Sequence, residues 1–191
     1  MKNFYIISYG LFIIFFIIEF FTRQGKNSKD MDRTKYDKSS TSILSATMAV
    51  TIILFLLTPL LNYYAIGNFY NTWVIIIGAI LGAVGLITRY ISYYTLGAFY
   101  TRTLKKTENH KLVTNGIYKY IRHAGYLSNI LIFIGISMTL CNFITLGFVI
   151  IIYPIVYIYR ISVEEKMLID IFGNDYIAYQ KKSKKLIPFI Y

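Results

Sequence analysis

Cysteine, histidine and acidic residues are scarce in this sequence. Its 191 residues include one cysteine, Cys141, two histidines and nine acidic residues beside twenty basic ones. A single cysteine excludes an internal disulfide, and so few histidines and thiols leave too few ligands for a metal site, so we expect none. Charged residues make up only 15% of the chain, whereas soluble domains carry about a quarter. A soluble globular fold is therefore excluded.

Apolar sequence, by contrast, is abundant. Hydrophobic residues account for 56% of the chain, and the mean hydropathy is +0.53. A hydrocarbon core of about 30 Å takes roughly 20 apolar residues per helix. Five apolar runs predict membrane spans, the last two forming a short hairpin: residues 4–21, 43–64, 73–90, 127–141 and 143–159. We predict an all-α fold class, a polytopic membrane helical bundle, with residues 1–191 forming a single domain.

Three further features bear on how the spans are arranged. The first apolar run is too long for a signal peptide and has no small-residue cleavage site after it, so we interpret it as a retained anchor. Near its end lies Glu19, which we expect to snorkel or to hydrogen-bond to another helix. In the third span, Gly78, Gly82 and Gly85 form a row of small residues that favours close helix packing.

The distribution of basic residues predicts the topology. Nineteen of the twenty lie in the 22–42 loop, in the 89–122 segment and from Arg160 onward, and only Lys2 falls on the other side. The positive-inside rule makes the crowded side cytoplasmic. We therefore predict a multi-pass protein of the cell membrane with its N-terminus outside and its C-terminus in the cytoplasm. The 22–42 loop is interpreted as a solvated linker.

The net charge of +11 has two possible meanings. A strongly basic chain could bind nucleic acid, but here the basic residues flank apolar spans instead of forming one soluble face. They are better explained as topology signals and as contacts to anionic membrane lipids. We therefore expect membrane lipids, and no nucleic acid, as partners.

Rare polar residues bracket the predicted hairpin. The block before the fourth span holds His110, Val113, Gly116, Tyr118, Arg122, His123 and Tyr126. The block after the fifth span holds Arg160, Glu164, Glu165 and Tyr176. Because both ends of a short hairpin lie at the same membrane surface, the two blocks are predicted to meet in a pocket open to the cytoplasm. If the fifth helix continues past Tyr159, Arg160 and Glu164 share one face, one turn apart.

These two blocks resemble the isoprenylcysteine carboxyl methyltransferase family and its phospholipid methyltransferase relatives. The family pattern runs approximately H-x-L-V-x-x-G-P-Y-R-x-x-R-H-P-x-Y-x-G and, after a hairpin, R-x-x-x-E-E-x-x-L-x-x-x-F-G-x-x-Y-x-x-Y. The matching residues are His110, Leu112, Val113, Gly116, Tyr118, Arg122, His123, Tyr126, Arg160, Glu164, Glu165, Leu168, Phe172, Gly173, Tyr176 and Tyr179. The similarity covers about residues 75–191. Ile117 and Ala124 stand where the family has proline, and Ser128 replaces a glycine.

The resemblance implies an integral membrane enzyme that uses S-adenosylmethionine. It implies that Arg160 and Glu164 are catalytic and line the acceptor pocket. It also implies a set of cofactor-binding residues: His110, Val113, Gly116, Tyr118, Arg122, His123, Tyr126, Glu165 and Tyr176. Glu165 has alternatives, because it is able to pair with Arg122 or His123 or to contact cofactor hydroxyls.

The acceptor is expected to be a lipophilic small molecule or lipid, but its chemistry stays open. Arg160 suits a carboxylate, which it can hold bidentately. For an amine or a thiol, Glu164 would accept the proton. The alternative function is a non-catalytic scaffold or lipid-binding protein that retains the fold. A transporter is disfavoured, since no charged or proline-broken positions occur at the middle of paired spans.

Overall fold

A computed structural model describes residues 3–22, 37, 39–97 and 112–186. Its elements in chain order are α1 (Asn3–Thr22), α2 (Ser40–Tyr63), α3 (Thr72–Leu96), a short 3₁₀ helix (Gly116–Lys119), α4 (Ala124–Thr139), α5 (Phe143–Phe172) and α6 (Asn174–Lys182). Across these ranges the chain forms no strand, only two isolated bridges. The predicted all-α class is confirmed.

Four of the helices, α1, α2, α3 and α5, are long and apolar enough to cross a membrane. The fourth helix, α4, is apolar but only 16 residues long. Together α4 and the first part of α5 form the predicted hairpin, although α5 continues through 30 residues as one helix. Outward faces of the long helices leave large apolar side chains exposed, among them Ile13, Ile53, Ile80, Ile87 and Ile151. So much exposed apolar surface suits lipid and not water, which confirms a multi-pass membrane bundle.

The row of glycines on α3 makes the predicted close packing, and the helix it packs against is α4. A Cβ added at Gly135 of α4 would lie 2.4 Å from the Gly82 nitrogen and 2.5 Å from the Gly78 oxygen. One added at Gly78 would lie 2.6 Å from the Met138 Cβ. Only glycine permits such an approach, and in a membrane close backbone contact is a main source of helix association. This packing places α4 at the centre of the bundle.

Hydroxyl pairs join α2 to α5. The Thr51 hydroxyl lies 2.8 Å from the Tyr153 hydroxyl, and the Thr58 hydroxyl lies 2.7 Å from that of Thr145. All four side chains are buried. Hydrogen bonds between buried hydroxyls leave no unpaired polar group in the apolar interior, so they fix the rotation of α2 on α5.

The turn between α4 and α5 is held by Asn142. Its Oδ1 accepts the Ile144 and Thr145 amides at 3.0 and 3.3 Å, which caps the start of α5. Its Nδ2 donates to Asn62 Oδ1 at 2.8 Å and to the Ile66 carbonyl at 2.9 Å. The turn is thus tied to the loop after α2. The start of α4 and the far part of α5 therefore lie together at the opposite end of the bundle, where the polar residues collect.

Candidate active site

The first turn of α4 presents two stacked rings. His123 is the N-cap residue of α4 and is buried. Its ring lies parallel to that of Tyr126, with centroids 5.6 Å apart and an interplanar angle of 10°. The Tyr126 ring stacks in turn on Tyr157 of α5, at 4.9 Å. The stack fixes the start of α4 against the face of α5 that carries the acidic residues.

Glu165 on α5 contacts three basic side chains. Its Oε1 accepts from Arg122 Nε at 3.0 Å and lies 3.3 Å from His123 Nε2. Its Oε2 lies 3.6 Å from Lys185 Nζ. Of the alternatives open to Glu165 from the sequence, the structure realises both pairings, with Arg122 and with His123. A buried carboxylate is tolerated when it is paired and hydrogen-bonded in this way.

Arg122 also anchors the chain that follows α6. Its Nη1 donates to the Gln180 carbonyl at 3.1 Å and to the Ser183 carbonyl. The backbone amides of Arg122 and His123 donate to the carbonyls of Lys184 and Lys185 at 2.8 and 3.0 Å. Arg122 therefore organises the site by binding Glu165 and two carbonyls, one in the last turn of α6 and one just after it.

Tyr126 connects the two residues predicted to be catalytic. Its hydroxyl donates to Glu164 Oε2 at 2.5 Å and accepts from Arg160 Nε at 3.2 Å. Arg160 and Glu164 both lie on α5, which continues past Tyr159 as the spacing predicts. The Glu164 side chain keeps 24% of its surface exposed, against 9% for Glu165. Glu164 is therefore the acid of the pair that a ligand can reach.

Arg160 itself holds an internal carboxylate. It is 2% exposed, and its Nη1 donates to Asp37 Oδ1 at 2.8 Å, to the Ser40 hydroxyl at 2.6 Å and to the Thr41 hydroxyl at 2.9 Å. The guanidinium that was predicted to hold an acceptor carboxylate thus binds an acid of its own chain. The interpretation of the whole 22–42 loop as a solvated linker is wrong for Asp37, which is 3% exposed.

Asp37 is tuned to stay ionised. Burial works to raise the pKa of its carboxyl, but hydrogen bonds from Thr41 and Ser40 and the charge of Arg160 outweigh burial and lower that pKa. The sequence carries a local signal for part of this arrangement, because an acidic residue just before an apolar helix is a common cap. The Thr41 amide does donate to Asp37 Oδ1, at 3.1 Å. Nothing in the sequence signals the contact with Arg160.

Tyr176 on α6 lies beside the two glutamates. The side chain is buried, and its hydroxyl has no hydrogen-bond partner among the described residues. Burial, followed by the charges of Glu165 and Glu164, raises its pKa, so the hydroxyl stays protonated. A buried hydroxyl without a partner is costly, and a polar ligand atom at this place would satisfy it.

The remaining predicted residues support the site from one side. The Tyr118 carbonyl accepts from the Tyr179 hydroxyl at 2.5 Å, which ties the 3₁₀ helix to α6. Gly116 has a positive φ of 54°, and a Cβ there would lie 3.0 Å from Thr95 Cγ2. Val113 packs with Tyr118 in one apolar cluster. These contacts shape the chain around the 3₁₀ helix, which leads into Arg122 and His123.

The predicted site residues can now be compared with those that the structure brings together. The structure brings together Arg122, His123, Tyr126, Arg160, Glu164, Glu165 and Tyr176. His110 lies outside the described residues. Sequence reasoning missed Asp37, Ser183 and Lys185. Within the described ranges, no group of three or more His, Cys, Asp or Glu side chains is placed to hold a metal.

Comparison with known proteins finds similarity in the region that carries most of the candidate site. A model of the isoprenylcysteine carboxyl methyltransferase (ICMT) family matches residues 74–170. Protein-S-isoprenylcysteine O-methyltransferase of Schizosaccharomyces pombe is 39% identical over 87 residues, which cover 45% of this chain and 36% of that protein. Protein-S-isoprenylcysteine O-methyltransferase B of Arabidopsis thaliana is 31% identical over 132 residues, which cover 68% of this chain and 62% of that protein. The chain thus matches less than two thirds of the length of either relative.

A solved structure agrees over nearly the whole chain. It is that of the eukaryotic intramembrane Ras methyltransferase named isoprenylcysteine carboxyl methyltransferase. The TM-score is 0.60 at 26% sequence identity, and the match covers 96% of this chain and 62% of the other. The likeness therefore includes α1 and α2, which the family model does not reach.

Proposed function

Because the chain belongs to the isoprenylcysteine carboxyl methyltransferase family, we propose that it transfers a methyl group from S-adenosylmethionine to a lipophilic acceptor at the membrane surface. One observation carries this proposal: Glu164 and Glu165, adjacent on α5, lie against the stacked rings of His123 and Tyr126. The reaction needs a site that accepts a cation beside an apolar surface, and this arrangement provides one.

The residues present suit the cofactor. When bound, S-adenosylmethionine supplies an electrophilic methyl group on a sulfonium sulfur. Carboxylates and the faces of aromatic rings favour a cation, and Glu164, His123 and Tyr126 offer both. The Tyr176 hydroxyl, which is buried and has no partner, would hydrogen-bond to a polar cofactor atom. Glu165 and Arg122 would act mainly by holding His123 and the end of α6 in place.

Three residues in and just before the 3₁₀ helix would complete the cofactor site. We propose that backbone groups around Val113, Gly116 and Tyr118 contact the cofactor, since this segment leads directly into α4. The role proposed for His110 rests on the family resemblance.

We propose a prenylated cysteine carboxylate, or a related lipophilic carboxylate, as the acceptor, since the similar proteins are named for isoprenylcysteine. Such a carboxylate is already ionised at neutral pH, so no strong base is needed. In-line positioning of the two reactants would supply most of the rate enhancement. Arg160 is the cation that suits this anion, but Asp37 already binds it at 2.8 Å. The acceptor would therefore share the Arg160 guanidinium with Asp37 or displace Asp37 from it.

The basic residues support the proposed orientation. We propose that the site end of the bundle faces the cytoplasm and that the N-terminus lies on the other side of the membrane, following the positive-inside rule. Exposed lysines around the site, including Lys119, Lys181, Lys182 and Lys184, would face anionic headgroups. The acceptor would then enter from the inner leaflet.

Cofactor binding tests the proposal. Detergent-purified protein is titrated with S-adenosylmethionine and with S-adenosylhomocysteine by calorimetry, and then supplied with labelled methyl donor and an N-acetylated S-prenyl cysteine. We expect saturable binding of both cofactor forms and transfer of label to the prenyl cysteine. If folded protein binds neither form, the proposed methyltransferase function is wrong, and a scaffold or lipid-binding function is favoured instead. Binding without transfer would reject this acceptor class.

A further inference from the structure

A buried ion pair joins α1 to α3 inside the membrane spans. Arg89 donates to Glu19 Oε1 from Nε at 2.9 Å and from Nη2 at 2.5 Å. The two residues are 7% and 6% exposed and lie within candidate spans Thr72–Leu96 and Phe4–Phe21. Of the two expectations for Glu19, the bond to another helix is confirmed. Ionisable side chains are expensive inside a membrane and tend to serve a function there.

Stability is a weak reason for keeping this pair. Replacing a buried ion pair by apolar residues of similar volume is often neutral or stabilising, because desolvation offsets the attraction between the charges. An apolar pair would pack α1 on α3 equally well in lipid. The charges therefore need another explanation, and the third contact of Arg89 offers one.

That third contact is made to the first turn of α4. Arg89 Nη1 donates to the Gly125 carbonyl at 3.2 Å. The same carbonyl accepts from the Ser128 hydroxyl at 2.7 Å. Gly125 stands between His123 and Tyr126, and a Cβ added to it would lie 3.2 Å from Arg89 Nη1. Glycine thus leaves the guanidinium the room to reach the backbone at this position.

We infer that Arg89, aligned by Glu19, is a positioning residue that fixes the first turn of α4 and through it the rings of His123 and Tyr126. Arg89 acts through the Gly125 backbone and does not contact the ligand. His123 lies 3.3 Å from Glu165, and Tyr126 donates to Glu164 at 2.5 Å. Hydrogen bonds weaken steeply with distance and angle, so a small displacement of this turn would loosen both contacts.

The inference gives α1 a part in the site. Residues 74–170, which the family model matches, do not include α1. Through Glu19, however, α1 sets the direction of the Arg89 guanidinium and so reaches the turn that presents His123. The inference rests on the proposed function for its ligand, because bound cofactor is what would report the position of that turn.

The test removes both charges together. In the double variant Glu19→Leu/Arg89→Met neither partner is left unpaired, so we expect its melting temperature in detergent to stay close to that of the wild type. S-adenosylhomocysteine affinity should fall about tenfold, the size expected for losing one hydrogen bond from a charged donor. Thr58→Val is the matched control: it removes a buried bond between helices near the far end of the bundle, and its affinity should equal that of the wild type.

A second readout does not depend on the cofactor. Deuterium uptake by the amides of residues 124–128 should be faster in the double variant and unchanged in Thr58→Val. A folded double variant with wild-type cofactor affinity and wild-type uptake would overturn the inference. If the double variant does not fold, Arg89→Lys replaces it, because one ammonium group lacks the fork that reaches both Glu19 and Gly125. If the wild type does not bind S-adenosylhomocysteine, the proposed function is wrong. Deuterium uptake by residues 124–128 would then test the inference by itself.

Discussion

Arg160 binds the carboxylate of Asp37 across 123 positions of sequence, with Nη1 and Oδ1 2.8 Å apart. Arg160 lies on the helix that also carries both glutamates of the site, whereas Asp37 precedes α2. The pair therefore joins the site to an element outside the motif that identifies the family. It also leaves the site with an acid already bound to the cation that suits an anionic acceptor.

We predict that Asp37→Asn increases the preference of the protein for an anionic acceptor. Asparagine caps a helix about as well as aspartate, so α2 should keep its start, while Arg160 loses its competing charge. The affinity for an S-prenylated carboxylate, relative to its primary amide, should rise about tenfold, a typical size for a close charge contact near a protein surface. Competition binding measures both ligands. Ser40→Ala, which keeps the Asp37 charge, is the control, and an unchanged ratio in Asp37→Asn would contradict the prediction.

Acid should weaken the same contact. The pKa of Asp37 is lowered in the folded protein, so its stabilising effect is fully present above the unfolded value of about 3.9. That stabilisation is lost as the pH falls through the lowered folded value. Melting temperatures measured from pH 6 to pH 3 should therefore fall more steeply for the wild type than for Asp37→Asn below about pH 4. Parallel curves for the two proteins would show that Asp37 contributes no such linkage.

Adjacent glutamates on α5 should respond differently to alanine. Glu165→Ala leaves Arg122 without its buried carboxylate, and such losses cost about 3–5 kcal/mol. Glu164→Ala removes a half-buried acid that accepts from Tyr126, so we expect a cost of about 1 kcal/mol and a large loss of methyl transfer. Thermal unfolding and single-turnover transfer, measured on both variants, separate the effects. Equal destabilisation of the two would show that Glu165 has no special structural part.

His123→Ala should weaken cofactor binding. The substitution removes a ring that stacks on Tyr126 and lies 3.3 Å from Glu165 Oε1. We expect S-adenosylhomocysteine affinity to fall about tenfold, in line with the loss of one charge-assisted contact. Calorimetry on folded variant protein is the measurement, with the exposed Tyr120→Ala as a neighbouring control. Wild-type affinity in His123→Ala would remove this residue from the cofactor site.

Gly135→Ala should destabilise the bundle more than the same substitution at a glycine with open space around it. Its added Cβ would meet the Gly82 backbone nitrogen at 2.4 Å, and overpacking of this kind costs about 1–3 kcal/mol. Gly147→Ala on α5 is the matched control, because nothing lies within 4 Å of its added Cβ. There, better helix propensity should leave stability equal or higher by up to about 1 kcal/mol. Comparable melting temperatures for the two variants would contradict the close packing of α3 on α4.

Much of the fold follows from local sequence. Membrane spans can be predicted from the sequence because each must be apolar along its length. The glycine row on α3 likewise predicts close packing against another helix, without identifying that helix. The partner of that row was not predictable from α3. Gly135 of α4 fills this role, and one glycine in an apolar run gives no sign of the helix it will face.

The candidate site divides in the same way. The spacing of Arg160 and Glu164 on one helix places them on one face, so the sequence predicts their association. Tyr126 joins them because α4 and α5 pack in one particular rotation, which depends on side chains throughout the hairpin. Asp37 shows the limit most clearly, since its polar surroundings in sequence favour a solvated position and its true environment is buried.

The sequence by itself determined where the apolar helices lie, the hairpin and the family, because hydropathy and motif spacing are properties of short segments. Only the tertiary structure decided that Arg160 binds Asp37, that Arg89 joins Glu19 to the Gly125 carbonyl, and that Tyr176 keeps a buried hydroxyl without a partner among the described residues. Each of these depends on the angle and register at which helices pack. That geometry is set by many weak contacts together and is written in no single stretch of the chain.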